Sequence, residues 1–343
     1  MKNWLIGILS LVLLAVSTIA RANDDHVLNI YSATDTAAFE RVIDVFEQLN
    51  PSIAVRYHEY NTRELYERLL VNQDGADVVI SSAMDLQVDL VNRGLAVRFI
   101  PNEGKDLPAW SQWLGSLYGF TFEPVAMVYN RKAFNTLELP ETRSKLATII
   151  RDHPFQFRHR IGTYDIEKSG VGYLFATQDV QRGYLFSRLV ETFGRAKSRL
   201  YCCTSEMIEK IGEGELLIGY NILGSYAHGA AVKDDRIGIK LFSDYSLVMT
   251  RTAFVLENAK NKVAAKRFVA FLLSNEGQKV IANNSTLIPL REEARTVQIQ
   301  ALLSSSRALL PIRLGPNLLT YLDDIKRRRF INEWRATLNA SDD

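Results

Sequence analysis

Cysteine is nearly absent from this 343-residue chain: there are two, Cys202 and Cys203, and they are neighbours. Adjacent cysteines cannot staple distant segments, so no disulfide framework holds the fold together. Without a CxxC spacing, metal-ribbon and dithiol-redox readings find no support. The expected state is two thiols used as small buried residues; a vicinal disulfide, which closes a small strained ring, is the alternative. Histidine is also sparse. His26, His58, His153, His159 and His228 are scattered and form no HExxH pair, so nothing points to a zinc hydrolase. There is no GxSxG nucleophile elbow and no GxxxxGK[ST] phosphate loop. Charge of one sign is lacking too: 41 basic against 39 acidic residues give a formal +2, and the basic residues are dispersed, which argues against a nucleic-acid partner. The run Lys326-Arg327-Arg328-Arg329 reads as the solvated face of a terminal helix.

The longest apolar run lies at the start. Lys2 precedes an almost uninterrupted apolar stretch over residues 4–19, followed by Ala20-Arg21-Ala22. A run of about 16 residues falls short of the roughly 20 that a spanning helix needs, and its flanks are those of a cleaved export signal. We therefore expect a signal peptide at 1–22, a mature chain from Asn23 and a periplasmic location. The remaining length of about 320 residues exceeds what one core normally supports, which favours two lobes.

Three times an apolar strand runs into a hydroxyl-bearing turn and then a helix: at 28–34, 77–85 and 160–170. Phe39, Val42, Ile43, Phe46 and Leu49 recur at helical spacing until Asn50-Pro51. Ile53, Val55 and Tyr57 alternate as a strand, Leu65 and Leu69 mark a helix after Thr62, and Asp77-Val78-Val79-Ile80 is a buried strand. This alternation predicts an α/β fold with a parallel sheet, whose ligands bind beyond the carboxyl ends of the strands. An aromatic, irregular segment from Trp110 to Phe122 leads to the strand Val125 to Tyr129. A second α/β unit follows, with a strand near Ile161, a helix from Val171, a helix after Thr204-Ser205, a strand Leu216 to Tyr220, and a loop Leu223-Gly224-Ser225-Tyr226. Residues 247–255 read as one return strand, and the rest of the chain as mainly helical.

The strings Leu28-Asn29-Ile30-Tyr31-Ser32, Ala76-Asp77-Val78-Val79-Ile80-Ser81 and Val128-Tyr129-Asn130, with Phe271-Leu272-Leu273-Ser274 before Glu276-Gly277-Gln278, resemble the type 2 periplasmic solute-binding proteins of ABC importers. The similarity is to the branch that includes ferric-ion binders and binders of phosphorylated sugars and phosphoglycerate. It implies a two-lobed fold with a hinge of two extended crossovers, lobe 1 from 23–125 plus 250–343 with the C-terminal helices, and lobe 2 from 126–249. It further implies closure on a solute, no catalysis, no cofactor, and a monomer that meets an inner-membrane ABC permease or a sensor kinase. Ferric binders usually carry two adjacent tyrosines, and this chain has no Tyr-Tyr pair. Tyr220-Asn221-Ile222-Leu223-Gly224-Ser225-Tyr226 and the segment from Leu310 to Asp323 resemble the organophosphate binders instead. The expected ligand is a small anionic, phosphorylated organic metabolite. Ferric iron is the alternative, and an exported hydrolase of a phosphorylated compound is the alternative of another class.

Helix starts carry unpaired amides and positive potential, so the hydroxyl-bearing turns make anion cradles. The candidate cradles are Ser32, Ala33 and Thr34; Ser81, Ser82 and Ala83; Thr163, Tyr164, Ser169 and Gly170; and Thr204 with Ser205. Each hydroxyl has helix capping as its ordinary use. Glu123 suits ligand hydroxyls, and Tyr220, Asn221 and Tyr245 suit the organic body by stacking and hydrogen bonding. Arg131 and Arg251 lie near the expected crossovers, where surface placement serves equally well. No metal ligands are expected.

Overall fold

The computed structural model describes residues 26–339, so the expected signal peptide lies outside the described residues. Among the described residues no helix is long and apolar enough to cross a membrane.

The first lobe begins with β1 (Val27–Ser32), β2 (Ala54–Glu59) and β3 (Val78–Ser81), linked by helices Thr36–Leu49 and Thr62–Val71. Both neighbours of β1 run parallel to it. Helix Thr36–Leu49 buries Ala38, Phe39, Val42, Ile43 and Phe46 on one face, the stripe read from the sequence. The Phe46 ring meets Phe268 and Phe271 of the later helix Lys262–Leu273 at 4.9 and 5.4 Å between centroids. Asp77 ties this lobe across the sheet: its carboxylate accepts from the Asn29 amide and the Asn261 amide, each at 2.9 Å. After helix Met84–Asn92, two short strands, β4 (Gln112–Trp113) and β5 (Leu117–Gly119), interrupt the aromatic segment expected to be irregular.

The chain then crosses over in β6 (Glu123–Asn130), buried at every position. The second lobe adds β7 (Ile161–Tyr164), β8 (Arg199–Tyr201), β9 (Ile218–Leu223) and β10 (Ile237–Lys240). The return passes through β11 (Ser246–Met249) and β12 (Thr252–Val255). One strand was expected here. The structure has two, because Thr250 and Arg251 carry the chain from one sheet to the other: β11 pairs with β6, and β12 pairs with β3 and β5. The sheets are thus β2-β1-β3-β12-β5-β4 and, with β13 (Leu309–Pro311) at its edge, β13-β11-β6-β9-β7-β8, with β10 also pairing to β6.

Two further expectations are corrected. The segment Gly224-Ser225-Tyr226 is no loop but the start of helix Gly224–Lys233, following directly on β9. Cys202 and Cys203 are bonded to each other and half-buried, because β8 delivers them to a lobe surface rather than into the core.

The end of the chain also departs from the expected division. Residues of the turn Pro316–Tyr321 pack against helix Met84–Asn92 of the first lobe. The final helix, Asp324–Asn339, then lies on the second lobe, where Phe330, Ile331 and Trp334 join a core containing Tyr173 and Phe193. Its Arg335 Nε donates to Glu167 at 2.5 Å. Sequence position alone could not show this, since its apolar residues are few; of its basic run Lys326, Arg328 and Arg329 face outward as expected, whereas Arg327 turns inward, 5.4 Å from the Tyr173 ring centroid. Gly194, in helix Tyr184–Arg195, permits the approach: a Cβ there would overlap the Leu338 backbone carbonyl.

Gly194→Ala should therefore loosen the final helix from the second lobe. The cost expected for overpacking is about 1–3 kcal/mol. It should appear as a lower unfolding midpoint and as faster tryptic cleavage within 326–329; unchanged cleavage would contradict this docking.

Candidate functional site

The carboxyl ends of β1, β2 and β3 and those of β7, β8 and β9 face each other across a cleft between the lobes. A cavity of about 280 Å³ opens there, lined from the first lobe by Ala33, Asp35, Glu59, Tyr60, Asn61, Thr62, Glu64 and Ser82. From the second lobe it takes Tyr164, Ser169, Val171, Cys202, Cys203, Thr204, Leu223 and Tyr226. This is where parallel sheets present helix starts to ligands.

The lobes touch around the cavity. Ser205 Oγ donates to Asp35 Oδ2 at 2.6 Å, the Tyr226 hydroxyl donates to Asp35 Oδ1 at 3.1 Å, and the Gly170 amide donates to Thr62 Oγ1 at 2.9 Å. The structure is therefore a closed one. Burial pushes the hydroxyls of Tyr164 and Tyr226 well above the ordinary tyrosine range, so both are neutral donors at physiological pH. Tyr164 shares a short hydrogen bond with Thr204 Oγ1.

Beneath the cavity, Glu123 and Arg251 form a buried ion pair with Nε to Oε1 at 2.9 Å. Glu123 also accepts from Thr121 Oγ1 at 2.8 Å and from the Ser225 hydroxyl. Arg251 Nη1 donates to Thr34 Oγ1 at 2.7 Å, and its guanidinium lies 5.2 Å from the Tyr226 ring centroid.

Of the residues expected to bind ligand, Ala33, Ser82, Tyr164, Ser169 and Thr204 line the cavity. Ser205 stands on its other side, in a wider groove with Asp35 and Tyr226, and closes the lobes. Several others serve the protein itself. Ser32 Oγ accepts from the Thr34 amide at 3.1 Å and from the Tyr57 hydroxyl at 2.8 Å, and Ser81 Oγ accepts from the Ala83 amide at 3.1 Å. Thr34 and Glu123 are held by Arg251, and the Gly170 amide by Thr62.

Tyr220, Asn221 and Tyr245 are not brought to the cavity. They surround the buried Asp179: the Tyr220 hydroxyl and Asn221 Nδ2 donate to Oδ2 at 2.9 and 2.7 Å, and the Tyr245 hydroxyl donates to Oδ1 at 2.8 Å. Arg143 Nε donates to the Tyr220 oxygen at 2.7 Å, and its guanidinium stacks 3.5 Å from the Tyr245 centroid. A buried aspartate and a buried arginine need hydrogen-bonding partners, and these three supply them. Thr163 likewise lies behind Tyr164, beside Asn221.

The residues that sequence reasoning missed are Asp35, the run Glu59-Tyr60-Asn61-Thr62, Glu64, Tyr226 and the cysteine pair. The rule that selected the ends of β1 and β3 applies equally to β2 and would have found Glu59 to Thr62.

Residues 28–284 match the family described as bacterial extracellular solute-binding protein. The crystal structure of the substrate binding protein of the ABC transporter from Agrobacterium tumefaciens shares 35% identity over 93% of this chain and 96% of that one, with a TM-score of 0.85. Iron-bound HitA from Pseudomonas aeruginosa shares 19% identity over 91% and 99% of the two chains, at a TM-score of 0.71. The periplasmic binding protein AfuA from Actinobacillus pleuropneumoniae, solved with exogenous fructose-6-phosphate bound, shares 16% identity over 91% and 98%, also at 0.71. Comparison with curated proteins gave no match.

One buried group at the contact of the lobes gives the protein a pH dependence. Asp85 is 2% exposed on helix Met84–Asn92, which packs against helix Gly170–Val180, and its Oδ1 has no hydrogen-bond partner. Burial raises its carboxyl to about 7 from 3.8, against the opposing pull of Arg63. The native state thus retains a proton that the unfolded chain releases, so this group lowers stability as pH rises from about 4 to about 7. Asp85→Asn should be more stable than the parent at pH 8, by a few kcal/mol, with the difference vanishing near pH 4. Urea midpoints of the two proteins measured across that window check this; a constant difference would contradict it.

Proposed function

This chain belongs to the bacterial extracellular solute-binding proteins, and we propose that within that family it captures a small hydroxyl-bearing organic phosphate for an ABC transporter. Solute-binding proteins of ABC transporters deliver to a membrane permease, and their two-lobed type 2 fold is the one described above.

The observation that carries the choice of ligand is the pairing of groups around one cavity. Its lining has three carboxylates, Asp35, Glu59 and Glu64, and no lysine or arginine side chain. A bare anion would meet those carboxylates unfavourably. A sugar phosphate divides its needs between them: its hydroxyls donate to the carboxylates, and its phosphate goes to the amides at helix starts. The start of helix Thr204–Glu213 suits that role, because Cys203 at its N-cap supplies no side-chain hydrogen bond. Arg63, Arg68 and Lys168 line the groove that continues outward past Asn61, Glu64, Glu67 and Cys202; Arg63 is paired with Glu67 and Lys168 with Asp165, which leaves Arg68 as the cation there that suits an approaching anion.

Iron is supported less. The names of similar structures include both an iron-bound protein and one bound to fructose-6-phosphate. A ferric ion, however, asks for several converging oxygen ligands; among the described residues no group of three or more His, Cys, Asp or Glu side chains is placed to hold a metal, and Tyr164 and Tyr226 are hydrogen-bonded to Thr204 and Asp35.

The test is a thermal-shift screen of protein refolded to remove carried-over solute, against sugar phosphates, dicarboxylates and ferric citrate. At about 100 times its dissociation constant a true ligand adds roughly 2.7 kcal/mol, enough to raise the midpoint by several degrees. We expect the rise with sugar phosphates; a rise with ferric citrate alone would overturn the reading. Ser82→Asp puts a fourth negative group into the cavity wall and should weaken fructose 6-phosphate binding by about ten-fold or more in calorimetry, which is about 1.4 kcal/mol, while circular dichroism stays native. Unchanged affinity would remove Ser82 from the site.

A further inference from the structure

We propose that Cys202 and Cys203 form a thiol–disulfide exchange site in the wall of the cleft, through which small dithiol reductants loosen the start of helix Thr204–Glu213. The proposal rests on the cleft being the solute site and not on which solute fills it.

The bond joins sequence neighbours, so it closes no chain loop and restrains no distant segment. What it fixes is local: the backbone between the end of β8 and the helix that begins at Thr204. That helix start is one of the places where the two lobes touch. Thr204 is bonded to Tyr164, and Ser205 donates across the cleft to Asp35. A change in the Cys202–Cys203 link is therefore transmitted, over one and two residues, to a cavity-lining hydroxyl and to an interlobe hydrogen bond.

The pair is also reachable. Both residues are partly exposed, both line the cavity, and Cys202 also faces the outer groove. Reduction would leave Cys203 at a helix N-terminus, whose amides favour a thiolate, and Cys202 in a groove of mixed charge, where Arg63, Arg68 and Lys168 stand with Glu64 and Glu67. These surroundings favour attack and reversal alike. The chemistry balances as a two-electron exchange. A thiolate of the reductant attacks one cysteine sulfur, the Cys–Cys bond breaks and a mixed disulfide forms. The second thiol of the reductant then displaces it, leaving an oxidised reductant and two cysteine thiols.

The experiment uses the folded protein with and without dithiothreitol, followed by removal of the reductant without air. Intact mass after iodoacetamide should show two added carbamidomethyl groups in the folded, reduced protein and none in the oxidised one. Hydrogen exchange at amides 207–211, the first that the helix itself protects, should be at least ten-fold faster after reduction. A Cys202→Ser, Cys203→Ser double variant should match the reduced protein and ignore dithiothreitol. Labelling only after denaturation, or equal exchange in both forms, overturns the proposal. Fructose 6-phosphate titrated into both forms separates the two readings. Binding about ten-fold weaker in the reduced form supports the link to the cleft, and equal binding breaks that link. Binding in neither form counts against the sugar-phosphate reading alone, with labelling and exchange still deciding this one.

Discussion

Glu123 stands on the chain's way out of the first lobe and Arg251 on its way back, and each neutralises the other inside the protein. Neither charge can be left alone there. Removing one partner of a buried pair strands the other and costs about 3–5 kcal/mol, although the pair itself adds little over a well-packed apolar pair. What the pair adds is position. Arg251 reaches Thr34 in the first lobe, and Glu123 is bound by Ser225 at the start of a helix in the second. Both crossovers and both lobes thus meet at one electrostatic knot beside the cavity.

The two halves that meet there differ in construction. The first lobe fastens its sheet through Asp77 and packs Phe46 against two aromatic rings. The second is organised around a buried polar centre, Arg143 with Asp179, Tyr220, Asn221 and Tyr245. A satisfied network of that kind fixes side chains in place. Its members Tyr220 and Asn221 lie on β9, directly before the helix start that brings Ser225 to Glu123 and Tyr226 to the cleft. The C-terminal strap, touching helix Met84–Asn92 on one lobe and helix Tyr184–Arg195 on the other, is a third connection across the molecule.

Much of this was legible in the residues. The apolar spacing of Phe39, Val42, Ile43 and Phe46 gave the first helix to its last residue, because one face buried and one exposed is a pattern that periodicity records. Helix Gly170–Val180, expected from Val171, is buried nearly all round, between the second sheet, the first lobe and the final helix, so its start was legible in the turn before it and not in any polar stripe. The site divides in the same way. Ala33, Ser82, Tyr164, Ser169 and Thr204 followed from a rule about strand ends. Tyr220, Asn221 and Tyr245 misled because their partner Asp179 looks like any surface aspartate until the fold buries it. Asp35 sits one residue beyond the turn at Ser32 to Thr34, and its importance comes from Ser205 and Tyr226, which are 170 and 191 residues away. Contacts at that separation leave no trace in local pattern.

On the proposed function, solute and the interlobe contacts at Asp35 together hold the closed form. Small-angle X-ray scattering of refolded protein, before and after fructose 6-phosphate, tests it most directly. A fall in the radius of gyration on adding the sugar phosphate, to the value calculated from the closed structure and abolished by Asp35→Ala, is the expected result. An identical radius with and without a solute that calorimetry shows to be bound would contradict closure on the ligand.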